Sequence, residues 1–145
     1  MSPYAVSKLT NETYAEVFAK VYGIEVIGLR YFNIFGPRQS PKGPYAAVIP
    51  LFIEYIMNNT SAYIDGDGEQ TRDFTYVENA VQANIKALFT QNAKALNQVY
   101  NIAVGDKTSI NQLFYTIKEI VGSSSSPTYR TERDGDVRDS LADIS

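Results

Sequence analysis

The sequence predicts an α/β fold, because segments with the spacing of amphipathic helices alternate with short apolar runs that are typical of buried strands. Hydrophobic residues make up 44% of the 145 residues and aromatic residues 12%, which is ample for a packed core. Long loops separate several short predicted strands, so the order of elements departs from simple βαβ winding. The length fits one domain or a piece of a larger one.

The chain begins with a predicted long helix and a strand. Ser2 is a good N-cap, Pro3 suits the first helical position, and Gly23 is placed to end the helix. We therefore expect a helix over residues 3–22. A mostly apolar run follows, and it predicts a buried strand over residues 25–31.

The rest of the chain is predicted from turn and cap signals. Three prolines and two glycines between residues 33 and 45 predict a long loop, and such loops in compact domains are often functional. Ser109 and Gln112 have the spacing of a capping box at the start of a helix. The other predicted elements are helices over 47–58, 77–89 and 109–121, strands over 62–64 and 99–102, a turn over 65–68, and a loop over 123–126 before a charged tail.

The composition excludes several kinds of site. The chain has no cysteine, which rules out disulfides and thiolate metal sites, and no histidine, which removes the usual general base. A net charge of −3 argues against general binding to nucleic acid or to a membrane surface. No apolar run reaches the ~18 residues of a membrane span, and no signal peptide is visible. We expect a cytoplasmic protein with no metal site, in which tyrosine, carboxylates or lysine carry any acid–base chemistry.

Two motifs fail on their spacing. Asp65, Asp67 and Glu69 are spaced like the start of a calcium loop, but Gln70 and Tyr76 occupy the positions that require glycine and glutamate. No G-x-G-x-x-G or G-x-x-G-x-x-G occurs anywhere, so the printed sequence carries no glycine-rich dinucleotide loop.

Tyr4 and Lys8 form a pair that could carry proton transfer. They lie four residues apart in the first predicted helix, and therefore on one face of it. A lysine ammonium near a phenol favours the phenolate, which lets a tyrosine act as a base near neutral pH. The alternative is an exposed helix face that happens to carry both residues.

Six segments stand in order along nearly the whole chain: YAVSK, LRYFNIFGPRQ, YAAVIP, IDGDGEQTRDFTYVEN, YNIAVGD and RDGDVRDSLADIS. Together they resemble the extended short-chain dehydrogenase/reductase family, and within it the NAD-dependent nucleotide-sugar 4-epimerases of the UDP-N-acetylglucosamine type. The resemblance implies the C-terminal part of such an enzyme, with the last Rossmann elements and the smaller α/β substrate-binding domain. Residues 1–35 would be the catalytic helix and following strand, and residues 36–145 would be mainly nucleotide-sugar-binding. The glycine-rich region and the Ser/Thr of the catalytic triad would precede residue 1.

The resemblance also assigns catalytic and cofactor roles. Tyr4 would take the proton from the sugar 4-hydroxyl, and Lys8 would favour the phenolate and hydrogen-bond the nicotinamide ribose. A hydride would pass to NAD and return to the other face of a 4-keto sugar. Tyr31 and Phe32 would lie beside the cofactor, although plain core packing is the alternative for Phe32.

Nine residues would contact the UDP-sugar by the same resemblance: Asn33, Ala47, Val48, Tyr63, Arg72, Asn101, Arg133, Asp136 and Ser140. Guanidinium groups suit phosphate oxygens, so Arg72 and Arg133 would hold the diphosphate together with Asn33. Arg138 is the alternative to Arg133, and a salt bridge with neighbouring Asp73 is the alternative for Arg72.

The remaining substrate residues would bind the nucleoside and the sugar. Ala47, Val48 and Tyr63 would surround the uridine, and Asp136 would contact a ribose hydroxyl. Ser140 stands four residues after Asp136, where the resemblance places a wall of the sugar pocket. A serine there is small and would admit a 2-acetamido group.

The function implied is 4-epimerisation of UDP-N-acetylglucosamine and UDP-N-acetylgalactosamine, or of UDP-glucose and UDP-galactose. Two alternatives stay open. One is a sugar-nucleotide 4,6-dehydratase or decarboxylase of the same family. The other is a truncated module that binds a nucleotide or a partner without turnover. We expect the chain alone to be inactive and the full-length protein to be a homodimer through the first helix.

Overall fold

The computed structural model describes residues 3–43, 46–133 and 135–145. In this part of the chain four α-helices alternate with short strands, which confirms the predicted α/β class. The helices are α1 (Pro3–Tyr22), α2 (Val48–Met57), α3 (Val77–Leu88) and α4 (Ile110–Val121). The strands are β1 (Ile27–Tyr31), β2 (Ile34–Phe35), β3 (Ala62–Asp65), β4 (Thr71–Arg72), β5 (Thr75–Tyr76), β6 (Gln98–Ile102), β7 (Thr108–Ser109), β8 (Pro127–Arg130) and β9 (Asp139–Ser140).

The start of α4 and the end of α1 follow the predicted signals, and Gly122, which was not among those signals, ends α4. The Ser109 hydroxyl accepts a hydrogen bond from the Gln112 N–H at 3.1 Å and so caps α4. Gly23 and Gly122 have φ of 68° and 70°, the left-handed conformation that ends a helix at low cost for glycine. Ser2, the predicted cap of α1, lies outside the described residues.

A parallel pair of strands forms one half of the structure. β1 and β6 pair in parallel, and α3 packs against both of them. Residues 98–102 therefore belong to the same sheet as residues 27–31. The division predicted near residue 35 stays a prediction, and the pairing of β1 with β6 joins segments from both sides of it.

The hydrophobic core lies in the other half, between α2, α4 and β3. Phe52 and Ile56 of α2 are buried with Ile64 of β3 and Phe114 of α4. The rings of Phe52 and Phe114 meet edge to face, with centroids 5.6 Å apart, which is a favourable geometry for aromatic pairs. This core fixes the start of α2 beside the end of β3, where the candidate site lies.

Several short strands correct the sequence-based prediction. Residues 33–45 were predicted as loop throughout, but β2 pairs in parallel with β5. Residues 130–145 were predicted only as a charged tail, but β9 within them pairs with β4, and the unpredicted strand β8, which ends at residue 130, pairs with β3. Strands of two residues show no periodicity of their own, because distant partners determine whether they form.

Helix α1 contributes nothing to the core. None of its side chains is buried, and Val17, Phe18 and Val21 are 46%, 45% and 65% exposed. Apolar side chains in such a row need cover that the described part of the chain does not provide. None of the described helices combines the length and apolar composition required to cross a bilayer.

Asp73 ties the two halves together, and its replacement should destabilise the fold. The residue is fully buried, and its carboxylate accepts the N–H groups of Val104 and Gly105, each at 3.0 Å. In Asp73→Asn an amide NH₂ faces one of these donors, which should lower the free energy of unfolding by about 1–3 kcal/mol. Urea unfolding of the purified protein measures this. Glu119→Gln, an exposed carboxylate on α4, is the control, and equal stability of both variants would contradict the prediction.

Candidate functional site

A cavity of about 260 Å³ opens between the start of α2, the ends of β2 and β3, and β4. Its wall combines polar side chains with apolar residues of the core. Seven of the nine residues expected to contact a UDP-sugar line it: Asn33, Ala47, Val48, Tyr63, Arg72, Arg133 and Asp136. These residues are up to about a hundred positions apart in sequence, so the fold brings them together.

Arg72 is held in the cavity wall by neighbouring oxygens. Its Nη2 donates to the Asp136 carboxylate at 2.5 Å, and its Nη1 donates to the carbonyl of Val137 at 2.6 Å. Only 16% of the Arg72 side chain is exposed, so the guanidinium is partly desolvated and fixed in direction. The carboxylate of Asp73 binds backbone N–H groups instead, so the alternative of a local pair between Arg72 and Asp73 is wrong.

Arg133 and Arg138 differ in their surroundings. Arg138 pairs with Asp67 at 2.7 Å and lies 3.7 Å from the Glu132 carboxylate, and it does not line the cavity. Its hydrogen bond holds the pKa of Asp67 below the ordinary value. Arg133 lines the cavity, and none of the ion pairs among the described residues includes it. Arg133 is therefore the better candidate for an anionic ligand.

Asn33 stands at the end of β1 in an uncommon backbone conformation. Its φ is 34°, on the positive side that asparagine tolerates better than most residues. The Asn33 Nδ2 donates to the carbonyl of Asp73 at 3.0 Å, and the Asn33 carbonyl accepts from the Thr75 N–H at 3.3 Å. These bonds fix the amide at the mouth of the cavity.

The start of α2 has backbone donors that no intrahelical hydrogen bond or described side-chain cap occupies. Ala47 precedes the helix and provides no side-chain cap, and the first bond of the helix runs from the Leu51 N–H to the Ala47 carbonyl. The N–H groups of Val48 and Ile49 therefore have no partner within the helix. Tyr63 lies across the cavity from them, 53% exposed, with the Arg130 guanidinium 5.3 Å from its ring centroid.

Three polar wall residues were missed by the sequence analysis: Gln39, Asp65 and Gln70. The Gln70 amide donates to the Asp65 carbonyl at 2.8 Å, while the Asp65 carboxylate pairs with Arg130. The Gln39 amide donates to the Ile34 carbonyl at 3.2 Å, and its buried Oε1 has no partner among the described residues. Gln39 is the last residue of the LRYFNIFGPRQ segment, but no site role was assigned to it from the sequence.

The Tyr4–Lys8 pair forms as predicted on α1 but lies away from the cavity wall. The Lys8 Nζ is 5.3 Å from the centroid of the Tyr4 ring, and Tyr4 is 71% exposed. Neither residue lines the cavity. The pair presents a phenol and an ammonium on an exposed helix face, with the ammonium over the phenol ring.

Other predicted site residues have protein partners elsewhere. The Tyr31 hydroxyl donates to Asn84 of α3 at 2.9 Å, and Phe32 is half-buried next to it. The Asn101 amide donates to the carbonyl of Asp143 at 2.8 Å. Neither Tyr31 nor Asn101 lines the cavity.

Ser140 lies next to the cavity without lining it. It is half-buried in β9 and is paired in register with Arg72 of β4. Residues paired in this way share one face of a sheet, so the side chain of Ser140 lies on the face of Arg72. Asp139 anchors the strand, because the Thr71 hydroxyl bonds its carboxylate at 2.7 Å. This bond and nearby Lys107 hold the pKa of Asp139 below its ordinary value.

Comparison with known proteins gives one family and close structural neighbours. A profile of the NAD dependent epimerase/dehydratase family matches residues 1–103. The UDP-N-acetylglucosamine 4-epimerase of Methanobrevibacter ruminantium M1, solved with UDP-N-acetylmuramic acid, is 47% identical, with a TM-score of 0.93 over 99% of this chain. The UDP-glucose 4-epimerase of Thermotoga maritima, solved with UDP-glucose, is 42% identical, also with a TM-score of 0.93 over 99% of this chain. A UDP-N-acetyl-alpha-D-glucosaminuronate decarboxylase of Bacillus cytotoxicus is 41% identical over 84% of this chain.

The chain is much shorter than these proteins. It spans 45% of each of the two solved epimerases and 36% of the decarboxylase.

Proposed function

The chain belongs to the NAD-dependent epimerase/dehydratase family, and we propose that it is the C-terminal part of a 4-epimerase that acts on UDP-N-acetylglucosamine. The cavity carries this proposal, because it joins two guanidinium groups, an oriented amide and a helix start with free N–H groups in one wall. An elongated ligand with an anionic centre and a polar ring at one end matches that order of groups.

Arg72, Arg133 and Asn33 would bind the diphosphate. Arg72 is already oriented by Asp136, while Arg133 has no ion-pair partner among the described residues. The N–H groups at the start of α2 would donate hydrogen bonds to the carbonyl oxygens of the uracil, and Tyr63 would cover one side of the nucleoside. Asp136 would accept from a ribose hydroxyl once the ligand draws Arg72 toward its phosphates.

Tyr4 and Lys8 fit the reactive end of a nicotinamide dinucleotide. Their hydroxyl and ammonium groups share an exposed helix face, where they would contact ribose and sugar hydroxyls. NAD supplies reversible hydride transfer when it is bound. Tyr4 would take the proton from the sugar 4-hydroxyl, and Lys8 would hold the ribose. Phe32 remains a candidate neighbour of the cofactor, whereas a role for Tyr31 requires its bond to Asn84 to break. The pyrophosphate would be bound by residues outside this chain.

Two observations support the N-acetylated sugar. Ser140 is small and is paired in register with Arg72, which lines the cavity, so a side chain of this size beside the cavity would leave room for an acetamido group. The relative with 47% identity is an epimerase of UDP-N-acetylglucosamine. UDP-glucose would then be a poorer or comparable substrate.

A decarboxylase is the second candidate, because a UDP-N-acetyl-alpha-D-glucosaminuronate decarboxylase is 41% identical over 84% of the chain. The residues that line the cavity give no separate support for a 4,6-dehydratase or for a binding module without turnover.

Product analysis with the full-length protein separates these candidates. Incubation with UDP-N-acetylglucosamine should give an equilibrium mixture with its 4-epimer. Release of carbon dioxide from UDP-N-acetylglucosaminuronate, without epimer from the neutral sugar, would favour the decarboxylase instead.

The 145-residue chain alone should show no epimerase turnover, even with added NAD. Tyr4 and Lys8 cannot replace the backbone N–H groups that a glycine-rich loop supplies to a pyrophosphate. The measurement is conversion of UDP-N-acetylglucosamine by equal molar amounts of the chain and the full-length protein. Steady turnover by the chain at a rate comparable to the full-length protein would contradict this expectation.

The exposed apolar row on α1 supports a dimer of the full-length protein. Val17, Phe18 and Val21 would be covered by a second copy and by the remainder of the protein. The absence of cysteine is consistent with action in the cytoplasm.

A further inference from the structure

Tyr4, Lys8 and Glu12 follow one another at steps of four residues along one face of α1. Lys8 therefore has a phenol one turn before it and a carboxylate one turn after it. Its Nζ is 5.3 Å from the centroid of the Tyr4 ring, and no ion pair joins it to Glu12 in the described part of the chain. A lysine in this position can lie beside the phenol or form an ion pair with the carboxylate.

Arg30 of β1 forms an ion pair with the Glu12 carboxylate. The Arg30 Nε donates to Glu12 Oε1 at 2.6 Å, and its Nη2 donates to Oε2 at 2.5 Å. Such a two-bond contact is the strongest arrangement available to a guanidinium and a carboxylate. The Arg30 bonds hold the pKa of Glu12 below its ordinary value, so the carboxylate is ionised at neutral pH.

We propose that Arg30 is a positioning residue for the Tyr4–Lys8 pair. Because Arg30 pairs with the Glu12 carboxylate, the Lys8 ammonium stays beside Tyr4. The same ion pair joins α1 to β1. The proposal rests on the proposed function, because that function gives Tyr4 and Lys8 their roles. Among the ion pairs of the described residues, Arg30–Glu12 is the one that joins α1 to another element.

The consequence of losing Arg30 follows from the helix spacing. Without Arg30, the Glu12 carboxylate would attract Lys8 across one turn and draw the ammonium away from Tyr4, and its negative charge on this helix face would no longer be compensated by the guanidinium. Each of these changes disfavours the phenolate. The next carboxylate along the helix, Glu16, forms an ion pair with Lys20 at 2.5 Å. Glu12 is therefore the carboxylate near Lys8 that loses its ion-pair partner when Arg30 is replaced.

The test compares Arg30→Met with Arg30→Met/Glu12→Gln in the full-length protein. The ionisation of Tyr4 is followed by the ultraviolet absorbance of the phenolate, as the difference from the same protein carrying Tyr4→Phe. The pH profile of kcat and the KM for UDP-N-acetylglucosamine are measured in parallel. Lys20→Met is the matched control, because it frees Glu16 two turns from Lys8 instead of Glu12 one turn away.

In Arg30→Met the midpoint of Tyr4 ionisation should move up by about 0.5–1 pH unit, and the acidic limb of the kcat profile should move with it. At a pH below this limb, kcat should therefore be about 3- to 10-fold lower than in the wild type. The double variant should return both toward the wild type, with KM unchanged throughout. Lys20→Met should move neither. A uniform loss of rate at every pH that the double variant fails to restore would overturn the proposal and leave Arg30 as a structural anchor.

The two readouts separate this proposal from the proposed function. An unmoved Tyr4 midpoint in an active epimerase would overturn the role of Arg30 alone. A midpoint that moves as expected in a protein without epimerase turnover would support the role of Arg30 and overturn the proposed function.

Discussion

Replacing Tyr4 by phenylalanine in the full-length protein is expected to lower kcat for epimerisation by about 10²–10⁴-fold, the usual range for loss of a general acid–base group. The substitution removes one oxygen from an exposed side chain of α1, so the fold should not change. Affinity for the UDP-sugar should stay nearly constant, because Tyr4 lies outside the cavity that is proposed to bind the nucleotide. Steady-state kinetics and calorimetric titration with UDP-N-acetylglucosamine measure the two effects.

Tyr14→Phe is the matched control, because Tyr14 is a second exposed tyrosine on the same helix, 62% exposed. It should leave kcat unchanged. Arg72→Ala should act in the opposite way to Tyr4→Phe: it should chiefly weaken binding, because it removes a desolvated guanidinium from the cavity wall. A similar pattern of kcat and affinity in the Tyr4 and Arg72 variants would contradict this division of roles.

The four helices could be predicted within one residue of their bounds because each carries its own signals. The spacing of apolar residues, the cap at Ser109 and the glycine at position 23 act within a few residues. The short strands could not be predicted in this way. β4 and β9 contain two residues each, and their pairing depends on a contact between positions 71–72 and 139–140.

In the candidate site, too, features set by neighbouring residues could be predicted and features set by distant residues could not. The pair of Tyr4 and Lys8 follows from helix spacing alone, and the structure confirms that the two side chains meet. The cavity needs segments that are far apart, and only the family resemblance connects Arg72 with Arg133 and Asp136 before the fold is known. Gln39 and Asp65 lie in two of the segments that carry the resemblance, but they were missed because their places in the wall depend on the packing of distant segments.

Ser140→Tyr is expected to change which sugar the full-length protein accepts. Ser140 is paired in register with Arg72, which lines the cavity. A larger side chain at position 140 should therefore extend toward the UDP-sugar that Arg72 is proposed to bind. A phenol ring should exclude the 2-acetamido group by steric overlap while it leaves room for a hydroxyl.

The expected result is a selective fall of about 10- to 100-fold in kcat/KM for UDP-N-acetylglucosamine relative to UDP-glucose, comparable to the discrimination that a small change of volume gives in other pockets. Kinetics with both sugars in the wild type and the variant measure the ratio. Ser124→Tyr, which places the same side chain at an exposed loop position, is the control and should leave the ratio unchanged. Ser140→Ala separates size from hydrogen bonding, since it should keep the N-acetylated substrate. An unchanged ratio in Ser140→Tyr would mean that another residue forms this wall, and the substrate would then be defined only as a UDP-hexose.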